Sequence, residues 1–331
     1  MFKFLPRFLI GLSLLLGTVS GVLHAQLVYD GVILGRVGKY DGYPTHLFVS
    51  GTHHIWWCSQ GTYDEIWHAT KTGSLGSGGW STPTKVFGTG QSPWSLKHTC
   101  DPSILKGSFS YSGRSYGYVM YYTSVRSTGD DAIGAAFSND GLIWKAHTSP
   151  VITPSAATTG YGAGMSGVAY KPGTSIIEHT YLDSTLSPLL RVTEGTGGLA
   201  FSPLPGTATQ LDFAGRNNDG QGPDIAYYPL DQHWYATIKN TDPQGIYDGE
   251  VRILRALDPN TLSGSWQVIG TINSSITGLA QNQNPGLAKN TDSTLYVDTS
   301  GLAYVFFTVG LPRPDVSTWD IAQARFKPSL P

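Results

Sequence analysis

Glu178 lies in Ile176-Ile177-Glu178-His179-Thr180, a run otherwise suited to burial. A carboxylate there has to face a polar channel or a cation such as Arg191, because burying it alone is costly. In a channel beside His179 it would be a carboxylic acid of raised pKa, able to give a proton to a leaving group. Glu250, next to Arg252 and Arg255, is explained more simply as half of an ion pair. The histidines argue against other chemistries. No pair has the His-Glu-x-x-His spacing of a zinc protease helix, and His53-His54 would point to opposite faces of a strand. Gly-x-Ser-x-Gly is absent, and Gly164-Met165-Ser166-Gly167 is no nucleophile elbow. Neither a catalytic metal nor a serine nucleophile is expected.

The elements that must position such an acid are strands. Aromatic and β-branched runs recur between Gly- and Asp-rich turns, as in His54 to Trp57, Tyr116 to Thr123, Trp234 to Ile238 and Tyr304 to Val309. The most complete unit runs from Asp101 to Leu105, through Tyr116 to Thr123 and Ala132 to Ser138, then over the turn Asn139-Asp140-Gly141 into Leu142-Ile143-Trp144. It reads as a four-stranded meander. Similar units start near Pro44, Pro102, Ser166, Pro223 and Ser293, at spacings of 58, 64, 57 and 70 residues. The period fits blades of a propeller, and five of them use up the chain. The last unit lacks a fourth strand and ends with Thr318 to Phe326, whereas Leu27 to Val37 is unassigned; pairing the two would close the ring. The expected fold is all-β, a single five-bladed β-propeller of four-stranded antiparallel blades. A β-sandwich is the alternative, but it would not require five similar units.

Lys3 and Arg7 precede an apolar run, Phe8 to Leu16, too short to span a bilayer, and Leu23-His24-Ala25 offers a cleavage site before Gln26. Residues 1–25 are expected to be a secretory signal and 26–331 the propeller domain, in a secreted or periplasmic protein. Removal of Lys3 and Arg7 leaves 19 basic residues against 23 acidic ones, so no basic field remains to hold nucleic acid. Oxidising conditions favour a bridge between the two cysteines, Cys58 and Cys100, over two buried thiols.

Asp101-Pro102-Ser103-Ile104, Ser138-Asn139-Asp140-Gly141-Leu142-Ile143-Trp144 and Gln221-Gly222-Pro223-Asp224-Ile225 together resemble motifs of the five-bladed propeller glycoside hydrolases. That superfamily includes arabinanases, β-xylosidases, arabinofuranosidases, levanases and invertases. The second motif also resembles the structural Asp-box hairpin of sialidases, and a tight turn with a packed Trp explains it.

The resemblance implies that acids at the starts of the innermost strands converge on a sugar at one mouth of the channel. Matching starts offer Asp41, Asp101, Asp219, Asp224 and Asp292. Glycosidic hydrolysis needs one protonated carboxyl and one carboxylate, and a third acid tunes their pKa values. The resemblance makes Asp101 the base or stabilising carboxylate, with Asp224 and Glu178 as acid candidates. Asp41, His46, Trp57, Gln221 and Asp292 are the substrate-binding candidates. Trp57 would be a stacking platform, brought near Asp101 by the Cys58–Cys100 bridge, although strand alternation lets only one of Trp56 and Trp57 face the channel. The family's acid is usually a Glu before Gly-Pro or Cys-Pro, where this chain has Gln221, which cannot donate a catalytic proton.

What the resemblance implies, then, is a monomeric enzyme cleaving a pentose- or furanose-containing polysaccharide, with no cofactor. A calcium ion in the central channel is compatible with it, although the sequence has no dedicated acidic loop. Gln221 keeps a non-catalytic carbohydrate-binding propeller open as the alternative. A sialidase-like site would need clustered arginines, and Arg126, Arg191 and Arg216 show no blade-start placement.

Overall fold

The computed structural model describes residues 27–328, apart from 61–62, 155–160, 184–188, 204–219, 242–246, 263 and 312–317. The expected signal, residues 1–25, and Asp219 lie outside the described residues. After β1 (Leu27–Leu34), the first blade comprises β2 (Asp41–Val49), β3 (Thr52–Gln60), β4 (Asp64–Thr72) and β5 (Thr84–Phe87). The second holds β6 (Thr99–Tyr111), β7 (Arg114–Val125), β8 (Asp131–Ser138) and β9 (Lys145–Ala146). The third holds β10 (Ala163–Tyr170), β11 (Ile177–Asp183), β12 (Leu189–Thr196) and β13 (Ala200–Pro203). The fourth holds β14 (Gly220–Tyr228), β15 (His233–Thr241), β16 (Tyr247–Ala256) and β17 (Trp266–Ile272). The fifth is β18 (Gln281–Leu287), β19 (Ala303–Gly310) and β20 (Asp320–Phe326), completed by β1. Every pairing within the blades is antiparallel, and β1 pairs with β20 from Leu27–Phe326 to Leu34–Ile321. The N-terminal strand thus closes the ring, as its unassigned sequence suggested.

Each seam between neighbouring blades has its own apolar core. Leu47, Trp56 and Phe87 of the first blade pack on Ile104, Met120 and Tyr122 of the second. Tyr235 and Ile253 of the fourth meet Leu287, Phe307 and Phe326 of the fifth. Trp56 and Trp57 are both fully buried, consistent with alternate strand residues entering the seams on either side of the first blade.

The five innermost strands share a device. Each shifts register after its first few residues, between Gly42 and Thr45, Cys100 and Ser103, Gly164 and Gly167, Gln221 and Asp224, and Gln283 and Gly286. A residue with left-handed backbone stands in each bulge: Tyr43 (φ 54°), Asp101 (50°), Met165 (56°), Gly222 (60°) and Asn284 (53°). The residue after it is proline in four blades and Ser166 in the third. Proline has no N–H to give to a ladder, so it suits a point where the ladder is already broken.

Two sequence expectations need correction. The fifth blade starts around Asn284-Pro285-Gly286, not Asp292-Ser293-Thr294, which moves its anchor to 62 residues after Pro223. Its inner strand, Gln-Asn-Gln-Asn-Pro-Gly-Leu, reads as a polar loop although Asn282, Gln283 and Asn284 are buried: Asn284 lines the channel, and Asn282 donates to the Gly249 and Leu279 carbonyls. In the second blade, Leu142 to Trp144 is part of the turn, and the fourth strand is the short Lys145–Ala146. Asp140 Oδ1 accepts the Leu142 and Ile143 amides at 2.8 and 2.9 Å, while Gly141 O accepts the indole N–H of both Trp56 and Trp144. The Asp-box-like motif is therefore a structural clasp between the first two blades.

Candidate active site

The bulge residues Tyr43, Asp101, Met165, Gly222 and Asn284 line the top of the central channel. Between them the channel leaves a space of about 20 Å³, room for little more than one water. Above Asp101 it opens into a cavity of about 300 Å³ lined by Tyr40, Tyr43, Asp64, His98, Tyr161 and Met165, with Trp319 at its wall. Of the five bulge positions, the second blade alone carries a carboxylate.

Asp101 is 7% exposed, and its Oδ1 has no hydrogen-bond partner among the described residues. The Tyr161 hydroxyl lies 3.5 Å from Oδ2. Burial pushes the carboxyl up to about 6, against the opposing pull of Thr123 and His98. His98 and Asp131 stand beside it, with Asp131 Oδ1 3.1 Å from His98 Nε2. Burial favours neutral His98, but the hydrogen bond that it donates to Asp131 and the charges of Asp131, Asp101 and Asp64 outweigh it and raise the imidazole pKa. Asp64 is raised by burial, with His98 acting in the opposite direction. The cavity thus gathers Asp64, Asp101 and His98, with Asp131 hydrogen-bonded behind the histidine, and the protonation of Asp101 and His98 is coupled.

Disulfide Cys58–Cys100 joins the first two blades directly before Asp101. Ligand atoms of Asp64 and of these two sulfurs lie within 4.8 Å of one another, and the sulfurs are already bonded to each other. The bridge thus ties Asp64 of β4 and Asp101 of β6 into one wall.

The other candidates lie elsewhere. Asp224 lines the channel, but its Oδ1 is 2.7 Å from the ammonium of fully buried Lys289, and its Oδ2 accepts the Leu287 amide at 2.8 Å. A charge so neutralised and held is no proton donor. Asp41 starts β2 yet is turned away: it accepts the Arg36 amide at 2.9 Å and the Trp57 indole N–H at 2.7 Å. Trp57 is fully buried and offers no face to a sugar. His46 is buried against Phe306, with Nε2 3.0 Å from His53 Nδ1 and Nδ1 accepting the Lys289 amide at 3.3 Å.

Glu178 pairs across the ladder with Ala169, near the far end of the inner strand from the bulge. It is 4% exposed, and burial raises its carboxyl to about 7. The expected raised pKa is there, but at the opposite mouth from Asp101. Asp292 is exposed and caps a turn through the Thr294 amide and hydroxyl. Gln221, the second residue of β14, pairs with Lys239, and Gly222 rather than Gln221 occupies the bulge.

The sequence reading missed Asp64, His98 and Asp131. A signal existed: Asp64 and Asp131 both begin the third strand of their blades. His98 carried none, because it lies in the connection before β6.

The calcium that the family resemblance allows does not fit the channel. Such an ion takes 6–8 oxygen ligands and needs anionic ones for tight binding. Of the two carboxylates that line the channel, Asp101 and Asp224, the latter is already paired with Lys289, whose ammonium also donates to Val168 O at 3.1 Å. An incoming dication would meet that positive charge. Among the described residues, Arg126 is paired with Asp130, Arg255 with Asp231 and Arg36 with Asp41, so none of the three is free to grip a substrate carboxylate; Arg216 lies outside the described residues.

No protein-family model and no curated protein matches this sequence. Solved structures match in fold. One is an α-L-arabinofuranosidase from Podospora anserina in complex with cellotriose, at 13% identity and TM-score 0.63, the match covering 92% of this chain and 98% of that one. A family 117 glycoside hydrolase from Zobellia galactanivorans matches at 14% identity and TM-score 0.60, over 93% and 92% of the two chains. A thermostable family-43 glycoside hydrolase matches at 13% and 0.61, over 90% and 96%. The chain therefore has the five-bladed propeller fold that these glycoside hydrolases use.

Proposed function

We propose that this chain is a secreted glycoside hydrolase that cleaves a pentose- or furanose-containing polysaccharide at the mouth built around Asp101. The observation that carries this reading is the placement of Asp101: a buried carboxyl, one oxygen without a hydrogen-bond partner among the described residues, in a cavity that Asp64 and His98 also line, with Asp131 behind His98. Hydrolysis needs a carboxylate to activate water or attack the sugar, and an acid to protonate the leaving oxygen. Asp101 takes the first role. Raised to about 6, it is a stronger base than an ordinary aspartate once ionised. Tyr40, Tyr43 and Tyr161, all partly exposed, supply the apolar faces on which a sugar can rest, in place of Trp57. The fold neighbours include α-L-arabinofuranosidases, which favours an arabinofuranosyl substrate.

The test is product release from arabinan, xylan, arabinoxylan, levan and bacterial exopolysaccharides by the wild type and an Asp101→Asn variant. Release by the wild type and its loss in the variant is the expected result. A second reading, sugar binding without cleavage, is favoured by the ring itself, where four bulge positions carry Tyr43, Met165, Gly222 and Asn284. Retained binding with no release from any substrate would decide for it.

A further inference from the structure

Asp101 can act on water, but protonation of the leaving oxygen needs a second group. The corresponding bulge positions of the third and fourth blades, Met165 and Gly222, carry no acid, and Asp224 is held by Lys289. His98 lines the same cavity as Asp101. Its backbone is fixed by its carbonyl, which accepts hydrogen bonds from the Ser95 and Ser124 hydroxyls. Its Nε2 is spent on Asp131 at 3.1 Å, and Nδ1 takes no hydrogen bond from the described residues. We propose that His98, held by Asp131, is the proton donor that complements Asp101. This inference rests on the hydrolase reading given above.

The tautomers fit the task. In the imidazolium, Nε2–H is given to Asp131 and Nδ1–H is the proton available to a ligand. The glycosidic C–O bond breaks with its electron pair passing to the leaving oxygen, which takes the Nδ1 proton. A water oxygen bonds the anomeric carbon, and the displaced water proton passes to Asp101. His98 is left neutral with Nε2–H still on Asp131, and exchange with solvent restores both groups. The charged groups acting on His98 are all carboxylates, Asp131, Asp101 and Asp64, so the imidazolium is favoured while Asp101 is ionised. Asp131 is a positioning residue: it selects the tautomer and stabilises the cation without touching the sugar.

Two substrates with the same sugar and different leaving groups test the assignment: a 4-nitrophenyl glycoside and the matching oligosaccharide, chosen from the best-cleaved sugar of the panel. The His98→Gln variant is expected to lose about 10²- to 10⁴-fold in kcat/KM on the oligosaccharide. On the 4-nitrophenyl glycoside, whose phenolate leaves with little protonation, the loss should be less than about tenfold. The alkaline limb of the pH profile should disappear in the same variant. Asp131→Asn should move that limb to lower pH, and Asp131→Glu should restore part of it. His98→Asn replaces the Gln variant if the latter fails to give a cooperative melt. Equal losses on both substrates, or an unchanged alkaline limb, would overturn the role of His98 and leave the hydrolase reading standing. Full activity of Asp101→Asn, or no product from the wild type, would overturn the hydrolase reading itself.

Discussion

The indole N–H of Trp57 donates to the carboxylate of Asp41 at 2.7 Å, and this contact takes both residues out of the sugar site. Asp41 also accepts from Arg36, whose guanidinium lies 3.7 Å over the Trp67 ring. The group closes the seam between the fifth and first blades. Removing the donor with Trp57→Phe leaves a buried carboxylate short of one partner, at a cost of about 1–3 kcal/mol. Denaturant melts should show that loss, while KM for any substrate stays at the wild-type value; a raised KM would return Trp57 to the site.

Lys289 and Asp224 form a buried pair across the channel, with side chains 0% and 7% exposed. Lys289→Met would strand the aspartate and cost about 3–5 kcal/mol, whereas pairing it with Asp224→Leu should recover most of the loss. A double variant no more stable than the single one would contradict this account. Because the ammonium occupies the place where a channel cation would sit, chelators should leave the wild-type melting temperature unchanged.

Glu178 should make the protein less stable as the solution is made less acidic. Its pKa rises from 4.5 to about 7 on folding, so the folded state holds a proton that the unfolded state releases between those values. The stabilisation is complete below pH 4.5 and is lost as pH climbs through about 7, a difference of about 3 kcal/mol. Glu178→Gln should therefore raise the melting temperature at pH 8 and leave it unchanged at pH 4, with activity retained. Loss of activity in that variant would instead make Glu178 part of the chemistry.

Asp101 follows the same sign. Its rise from 3.8 to about 6 makes its ionisation unfavourable to the folded state, so Asp101→Asn should not destabilise the protein at pH 7. Activity should fall by orders of magnitude, and its acidic limb in the wild type should lie near 6. A destabilised variant would show that Asp101 holds the bulge together rather than serving the reaction.

The Cys58–Cys100 bridge closes a loop with a sequence separation of 42. Chain-entropy reasoning gives about 4 kcal/mol for a loop of that size. A Cys58→Ser/Cys100→Ser variant should be less stable by about 4 kcal/mol in denaturant melts and lose activity disproportionately, since the bridge adjoins both Asp64 and Asp101. Activity unchanged at a temperature where the variant is folded would show that the bridge serves stability alone.

Much of the fold was legible because it is periodic. Strand runs with turn signals repeat at nearly constant spacing, and an unassigned strand at the N-terminal end together with a last unit one strand short implies closure. The fifth blade was placed eight residues late because its inner strand is polar, and apolar content is a poor guide for a strand whose face lines a channel. The site was less legible. Asp101 could be picked out from its Asp-Pro setting, but Asp41, with the same apparent standing, faces a seam because it precedes the bulge instead of standing in it.

What the sequence by itself determined is the number of blades, the closing strand, the partner cysteines and one acid at a strand start. These depend on local composition and repetition, which a linear chain displays. Only the tertiary structure decided which of these groups come together, Asp64, His98 and Asp101 on one cavity and Asp131 behind His98. Asp64, His98, Asp101 and Asp131 come from two blades and from different strands or connections within them, and meet because a register shift turns Asp101 toward the mouth where the others arrive. A side chain's direction at a bulge, and the burial that shifts its pKa, depend on neighbours distant in sequence, so no spacing along the chain encodes them.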